Sequence, residues 1–200
     1  MIKGEMAALL GADGPFARTL PGFAPRPAQQ AMAEAVAEAI DERSCLVAEA
    51  GTGTGKTFAY LVPALRCGRR VIVSTGTKTL QDQLFQRDLP RVREVIGARV
   101  SAALLKGRAN YVCLHRLDQA NKDGRPDPPE RAAELHAVRR WAAQTRSGDR
   151  AELAEIAEDS PLWPRVTSTA ENCLGGDCPF FADCFVVKAR RAAVDGRRIA

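Results

Sequence analysis

Short apolar runs alternate with helical periodicities through the first half of the chain, and the sheet-like pattern stops near residue 113. From Ala28 to Ile40, residues Ala28, Ala31, Met32, Ala35, Val36, Ala39 and Ile40 recur at helical spacing, which predicts an amphipathic helix. Pro25 and Pro27 hold the preceding backbone extended or turned, and Pro27 suits a first helical turn. Cys45-Leu46-Val47-Ala48 is short, apolar and partly β-branched, and predicts a buried strand. Phe58 to Val62 carries no breaker and predicts the first turns of a helix, which Pro63 should kink or shorten and Gly68 can close. Arg70 to Thr75 predicts a second strand, Gly76-Thr77 a turn, and Lys78 to Leu89 a helix with a Thr cap. Arg99 to Leu105 has the pattern of a third strand. Strand, helix, strand, helix implies an α/β domain whose parallel sheet has right-handed crossovers.

Beyond that point the pattern changes. Lys122 to Pro129 is polar and predicts a loop, Glu130 to Thr145 a helix with Leu135, Val138, Trp141 and Ala142 on one face, and Arg150 to Glu158 a second helix. Trp141 reads as a packing residue. These segments make an insertion rather than a second sheet. The expected organisation is a helix-and-turn lead over 1–22, an α/β domain over 23–112, an inserted segment over 113–190, and a return to the α/β domain over 191–200.

Composition narrows the partners. The 200 residues are 46% hydrophobic and 26% charged, ordinary for a soluble globular protein. The net charge of +5 permits a polyanionic partner and equally fits a solvated basic surface. The first residues lack the apolar run of a signal peptide, and no stretch reaches the roughly 18 apolar residues of a membrane span, so the cytoplasm is the expected compartment. Six cysteines in such a chain point to metal or redox chemistry rather than disulfides.

Between the first predicted strand and its helix lies Ala48-Glu49-Ala50-Gly51-Thr52-Gly53-Thr54-Gly55-Lys56-Thr57. Strand, glycine-rich turn and helix start are the context of a phosphate-binding loop. Glycines let backbone N–H groups approach an anion, and the helix N-terminus adds its dipole. Lys56 would reach the β- and γ-phosphates of ATP, and the Thr57 hydroxyl would ligate Mg²⁺. Ala50 stands where the strict motif has Gly, giving A-x-x-G-x-G-K-T, the form that resembles superfamily 2 helicases. Arg26 and Gln29 sit ahead of this loop; a Gln there is either a solvated cap or, as in a helicase Q-motif, an amide that reads adenine. Ser74 to Leu84 resembles helicase motif Ia, where small hydroxyls such as Thr75 and Thr77, with Lys78, suit a single-strand backbone; the alternative is an ordinary strand–turn–helix.

Cys173, Cys178 and Cys184 are spaced C-x4-C-x5-C in a Gly- and Pro-rich loop, with Cys113 far upstream. Three clustered thiolates and one distant one suit an iron–sulfur cluster better than zinc, whose structural sites prefer C-x2-4-C pairs. Zinc and unmetallated thiols stay open on spacing alone. Cys45 and Cys67 read as buried fillers or bystanders.

Together these stretches resemble the DinG/YoaA branch of the XPD-like iron–sulfur DNA helicases. The matching residues are Pro25 to Gln29, Glu49 to Thr57, Val73 to Leu84, Leu105 to Cys113, Trp163 to Thr169, Asn172 to Pro179 and Asp183 to Arg190. The resemblance implies a RecA-like motor fold with helices on both faces of an incomplete sheet, and a helical insertion. In that insertion Cys113, Cys173, Cys178 and Cys184 hold a [4Fe–4S] cluster. It implies an adenine and phosphate site built from Arg26, Gln29 and Ala50 through Thr57, with Lys56 and Thr57 in the catalytic roles. It also implies ATP-driven 5′-to-3′ translocation on single-stranded DNA and opening of forked DNA in replication and repair. Thr75, Thr77, Lys78, Lys106, Arg108 and Tyr111 are the candidate DNA contacts, and a replisome subunit is a candidate partner. Phe180, Phe181 and Phe185, followed by Lys188, Arg190 and Arg191, suit either base stacking or packing around the cluster. Two features depart from the family. No acidic Walker B pair follows the cysteines, and no second motor domain with an arginine finger is present. The expectation is a fragment of a longer helicase that does not itself turn over ATP; the alternative is a standalone iron–sulfur module that binds nucleotide or DNA without hydrolysis.

Overall fold

The computed structural model describes residues 3–122 and 128–195. They divide into two compact units, one running to Ala102 and the other from Ala103 to Asp195. The tail Gly196-Arg197-Arg198-Ile199-Ala200 and most of the predicted Lys122–Pro129 loop lie outside the described residues.

The first unit is assembled around one buried helix. Helices α1 (Lys3–Leu9) and α2 (Pro15–Thr19) bury Met6, Leu10 and Phe16 completely. The Phe16 ring lies 5.7 Å from that of Phe23 and 5.4 Å from that of Phe58, within the range of favourable aromatic pairs. Helix α3 (Pro27–Glu42) begins with Pro27 at its first turn, as its missing N–H allows, and ends on Arg43 in the left-handed region at φ 56°. The small side chains of Ala33 and Ala37 let α3 lie close against α4 (Lys56–Arg66). Helix α4 buries Ala59, Leu61, Val62, Pro63, Ala64 and Leu65; each large apolar side chain so covered contributes roughly 1.5–3 kcal/mol. Pro63 does not stop the helix, which runs one turn further to Arg66. Its ring is wholly buried, so packing offsets the lost backbone hydrogen bond.

The predicted strands form no sheet among the described residues. Among the described residues no strand ladder is present: residues 44–50 and 72–75 lie outside any ladder. An apolar run can specify alternation without specifying a neighbour, and a strand needs a neighbour to satisfy its backbone groups. The alternation itself is visible: Val71 and Val73 pack towards the core while Ile72 is 77% exposed. Val47, in the run read as a buried strand, is 94% exposed. Cys45, read as a filler or bystander, is also exposed. Residues 101–105 of the predicted third strand are irregular, with Val100 buried and Ala102 against the core.

The helix predicted from Lys78 to Leu89 is longer and is interrupted. Helix α5 (Lys78–Gln83) passes through a π-helical turn at Leu84–Asp88 into α6 (Leu89–Val95). The Thr77 cap forms as predicted, its hydroxyl oxygen accepting from the Leu80 N–H at 3.2 Å.

The second unit packs α7 (Leu114–Lys122), α8 (Pro129–Ala142), α9 (Trp163–Val166) and α10 (Phe185–Asp195) around a core that includes Val138, Leu162, Trp163 and Val166. The predicted helix over Arg150–Glu158 is reduced to a 3₁₀ turn at Arg150–Glu152 and further turns. Leu153 and Ile156 are both drawn into the core, and the Ile156 N–H bonds back three residues to Leu153. Gly148 at φ 68° packs so tightly on Phe185 that a Cβ would meet the ring.

Glu152 holds this corner. Its carboxylate accepts from Trp141 Nε1 at 3.2 Å, Thr145 Oγ1 at 2.6 Å and Ser147 Oγ at 2.5 Å. Burial alone would raise its pKa, but these three donors and Lys106 outweigh burial and hold it below the usual value of 4.5. A depressed carboxylate pKa contributes stability above the ordinary carboxylate range and loses it as pH falls through the folded-state value. Glu152→Gln should therefore destabilise the second unit by about 1 kcal/mol at neutral pH, partial exposure keeping the effect small. Thermal unfolding should show the gap between the two proteins closing as pH falls below the ordinary carboxylate range.

Candidate functional site

The first candidate site is the turn between residue 50 and α4. Gly53 at φ 78° and Gly55 at φ 82° take left-handed backbone that side chains rarely adopt, which leaves the turn open-faced with N–H groups at the start of α4. The turn is held from behind by the lead-in of α3. Arg26 Nη1 donates to the Gly53 carbonyl at 2.8 Å, and Gln29 Nε2 donates to the Gly55 carbonyl at 3.0 Å. A Cβ on Gly55 would collide with the Gln29 amide. Gln29 is buried, and its Oε1 has no hydrogen-bond partner in the protein. A buried acceptor left in this state costs about 1–3 kcal/mol unless a ligand donor meets it. Thr54 Oγ1 ties the turn to the Gly51 carbonyl at 2.9 Å. Lys56 Nζ donates to the carbonyls of Ala50 and Gly51, both at 2.6 Å, so its ammonium sits over the turn. The adenine, phosphate and Mg²⁺ chemistry of ATP fits this donor set.

Thr57 follows in the first turn of α4, three residues before Tyr60. Burial pushes the Tyr60 phenol up, Thr57 works against that, and the charge of Asp88 adds to the rise. Thr75 Oγ1 donates to the Thr77 carbonyl at 3.2 Å, and Lys78 opens α5 from an exposed position.

The second candidate site lies in the second unit. Two isolated antiparallel bridges, Tyr111 with Asp149 and Val112 with Thr167, sew the segment before α7 into place. The Val112 N–H bonds to Gly148 at 2.9 Å and the Cys113 N–H to Val166 at 2.8 Å. This long-range stitching brings Cys113 to the cysteines some sixty residues on. Cys113, Cys173, Cys178 and Cys184 all line one cavity of about 100 Å³. Cys178 follows the 3₁₀ turn Gly175–Asp177, and Cys184 precedes α10. Arg108 Nη1 donates to Cys173 Sγ at 2.9 Å, and the Gly175 N–H reaches the same sulfur at 3.4 Å. Such donors stabilise thiolate charge. Sequence reading missed His115 and Ser168, which also line the cavity and carry no spacing signal of their own, whereas Arg190, read as a cation beside the cysteines, lines it too. Among the described residues no three His, Cys, Asp or Glu side chains converge for a single ion.

The other expected contact residues have inward partners. Lys106 Nζ, 3% exposed, pairs with Asp149 at 2.6 Å. The Tyr111 phenol oxygen accepts from the Lys106 N–H at 2.9 Å, and burial raises its pKa. Phe185 is buried in the core, Phe180 faces His115 with ring centroids 6.4 Å apart, and the partly exposed Phe181 lies under the Arg191 guanidinium at 5.9 Å. Cys67, at the end of α4, donates to the Ala64 carbonyl within the first unit. No helix among the described residues is long and apolar enough to cross a membrane.

Comparison with known proteins agrees with the first site. The DEAD/DEAH box helicase family matches residues 26–122, which implies a RecA-like fold for that stretch. The chain is 53% identical over 183 residues to the ATP-dependent DNA helicase YoaA of Escherichia coli, covering 92% of this chain and 29% of that protein. It is 50% identical over 193 residues to YoaA of Haemophilus influenzae, covering 96% and 30%. It is 43% identical over 190 residues to the ATP-dependent helicase DinG of Mycobacterium tuberculosis, covering 84% and 28%. The chain thus spans less than a third of the length of these relatives. Residues 26–122 thus match a DEAD/DEAH box helicase domain that includes the glycine turn, and homology to YoaA and DinG helicases runs across most of the chain.

Proposed function

We propose that the chain is the nucleotide-gripping and cluster-bearing part of an ATP-dependent DNA helicase that moves 5′ to 3′ on single-stranded DNA. Its setting is the opening of forked DNA in the cytoplasm during replication and repair, with a replisome subunit as a partner. The observation that carries this reading is the glycine turn held by Arg26 and Gln29, with the Gln29 acceptor unspent.

Each residue has a task in ATP binding. Gln29 Oε1 accepts from the 6-amino group of adenine, a donor that guanine lacks at that position. The N–H groups from Gly53 to Thr57 and the Lys56 ammonium meet the phosphates. Thr57 holds Mg²⁺. Thr75, Thr77 and Lys78 meet the phosphates of a DNA strand. In the whole helicase a RecA-like domain would pair Cys45–Ala48 and Arg70–Thr75 as neighbouring parallel strands, which would put both turns at one sheet edge where ligands bind.

The four cysteines hold a [4Fe–4S] cluster. Four thiols lining one cavity, Cys113, Cys173, Cys178 and Cys184, would supply the four thiolates that such a cluster takes. When bound, the cluster supplies a four-point cross-link and a redox-active centre. Arg108 steadies the Cys173 sulfur. Phe181, Lys188, Arg190 and Arg191 offer a stacking face and cations to a strand.

The test is strand separation by the full-length gene product. A forked duplex with a 5′ single-stranded tail should be opened with ATP, and one with only a 3′ tail should not. Nucleotide binding with no unwinding of either would leave a standalone iron–sulfur module instead.

A further inference from the structure

Lys106 is the one buried cation among the described residues, its side chain 3% exposed. Neither the glycine turn nor the cysteine cavity uses it. Its Nζ pairs with Asp149 Oδ2 at 2.6 Å, and the Asp149 side chain is itself only 14% exposed. The other Asp149 oxygen accepts from the Ala151 N–H at 3.1 Å. The Lys106 N–H donates to the Tyr111 phenol oxygen at 2.9 Å, and Tyr111 forms an antiparallel bridge with Asp149. Lys106, Tyr111 and Asp149 therefore close a ring. Within the loop between Lys106 and Tyr111, the Asn110 N–H and Nδ2 both donate to the Gly107 carbonyl, at 2.9 and 3.1 Å. The seam then runs on: the Val112 N–H bonds to Gly148 at 2.9 Å and the Cys113 N–H to Val166 at 2.8 Å.

We infer that Lys106 and Asp149 are positioning residues that fix Cys113 as the fourth thiolate of the cluster, through the ring they close with Tyr111. The inference rests on the cluster reading above and adds to it the residues that place the most remote ligand. Cys173, Cys178 and Cys184 share one short stretch, whereas Cys113 stands far upstream and takes its place from the seam alone. A buried ion pair is a poor device for stability, because desolvating two charges offsets most of their attraction, and replacing both partners by neutral groups is often harmless. What the pair does supply is register. In a low-dielectric interior the ammonium has no favourable position except beside its carboxylate. That holds the start and the end of the loop to the same residue. Without the pair, residues 106–112 can shift along residues 148–149, and Cys113 withdraws while the other three thiols stay together.

The test follows the iron of this chain, purified without oxygen and then given an equivalent of ferricyanide. A cluster whose fourth thiolate is loose gives up a ferrous ion, passes an electron to the ferricyanide, and leaves a three-iron centre. That centre is paramagnetic, whereas the intact cluster is silent, so electron paramagnetic resonance follows the conversion. The double variant Lys106→Met with Asp149→Asn removes both charges, orphans neither, and keeps an oxygen for the Ala151 N–H. Its melting midpoint should stay within about 3 °C of the unaltered chain. It should nevertheless convert to the three-iron centre about tenfold faster. Glu152→Gln, which loosens the same corner without touching the pair, should convert at the unaltered rate. A double variant that does not fold leaves Lys106→Met alone to decide against Glu152→Gln. Conversion at the unaltered rate, or loss of all the iron together with no three-iron stage, would mean a merely structural role and would overturn the inference. Absence of iron from the unaltered chain would instead overturn the cluster reading, and the inference with it.

Discussion

Cys173→Ser is expected to strip the chain of its iron. Purified without oxygen, the unaltered protein should carry about four irons per chain and absorb near ~400 nm, and the variant should carry less than one. The reason is geometric. The thiols come from two separate stretches, and Cys113 reaches the other three because the isolated bridges of Tyr111 to Asp149 and Val112 to Thr167 fix the chain just before it. Cys173 is the sulfur with two donors, Arg108 and Gly175, so its charge is the best compensated of the four. Removing it leaves one iron without its thiolate and leaves the Arg108 guanidinium facing a weaker acceptor. Loss of the cross-link should also lower the melting midpoint of the second unit, seen as a red shift of fluorescence from the buried Trp163. Cys67→Ser is the control. Cys67 bonds to Ala64 within the first unit, so its replacement should leave iron and colour unchanged. Full iron in Cys173→Ser would exclude this thiol as a ligand.

Lys56→Ala is expected to weaken Mg·ATP binding about 100-fold, or about 2.7 kcal/mol. Lys56 Nζ stands 2.6 Å from the carbonyls of Ala50 and Gly51, so the cation is already above the turn. It is bound there by neutral acceptors alone, which a triphosphate outcompetes, since charge-assisted hydrogen bonds are about twice as strong. The fold should not suffer. The two carbonyls Lys56 leaves are accessible to water, and the turn keeps its ties to Arg26 and Gln29. The melting midpoint should move by less than the equivalent of about 1 kcal/mol. A parallel loss of stability and binding would show that Lys56 holds the turn rather than the ligand.

Local chemistry was legible in the sequence, and long-range pairing was not. Helix α3 and the Thr77 cap follow from periodicity, a first-turn proline and a hydroxyl cap, all of which act within a few residues. The glycine turn was legible for the same reason. Gly53 and Gly55 have positive φ because the loop demands it, whatever surrounds them. The predicted strands show the opposite case. Val71 and Val73 turn inward and Ile72 outward as the apolar pattern requires, yet the pairing depends on chain segments that the pattern cannot name. Lys106 was read as a DNA contact from its neighbourhood, but its partner Asp149 lies more than forty residues on. The π-turn was hidden for another reason. Leu84 to Asp88 has ordinary helical composition, and only the burial of Asp88 against α4 marks it. Arg150 to Glu158 scored as a helix on propensity, and the pull of Leu153 and Ile156 into the core overrode it.

One titration bears most directly on the claim that this glycine turn grips a nucleotide. Calorimetry of the unaltered chain with Mg·ATP and with Mg·GTP should give a single saturable site that prefers ATP, because Gln29 Oε1 meets the adenine amino group and faces an acceptor in guanine. No heat with either nucleotide, or equal affinity for both, would contradict it.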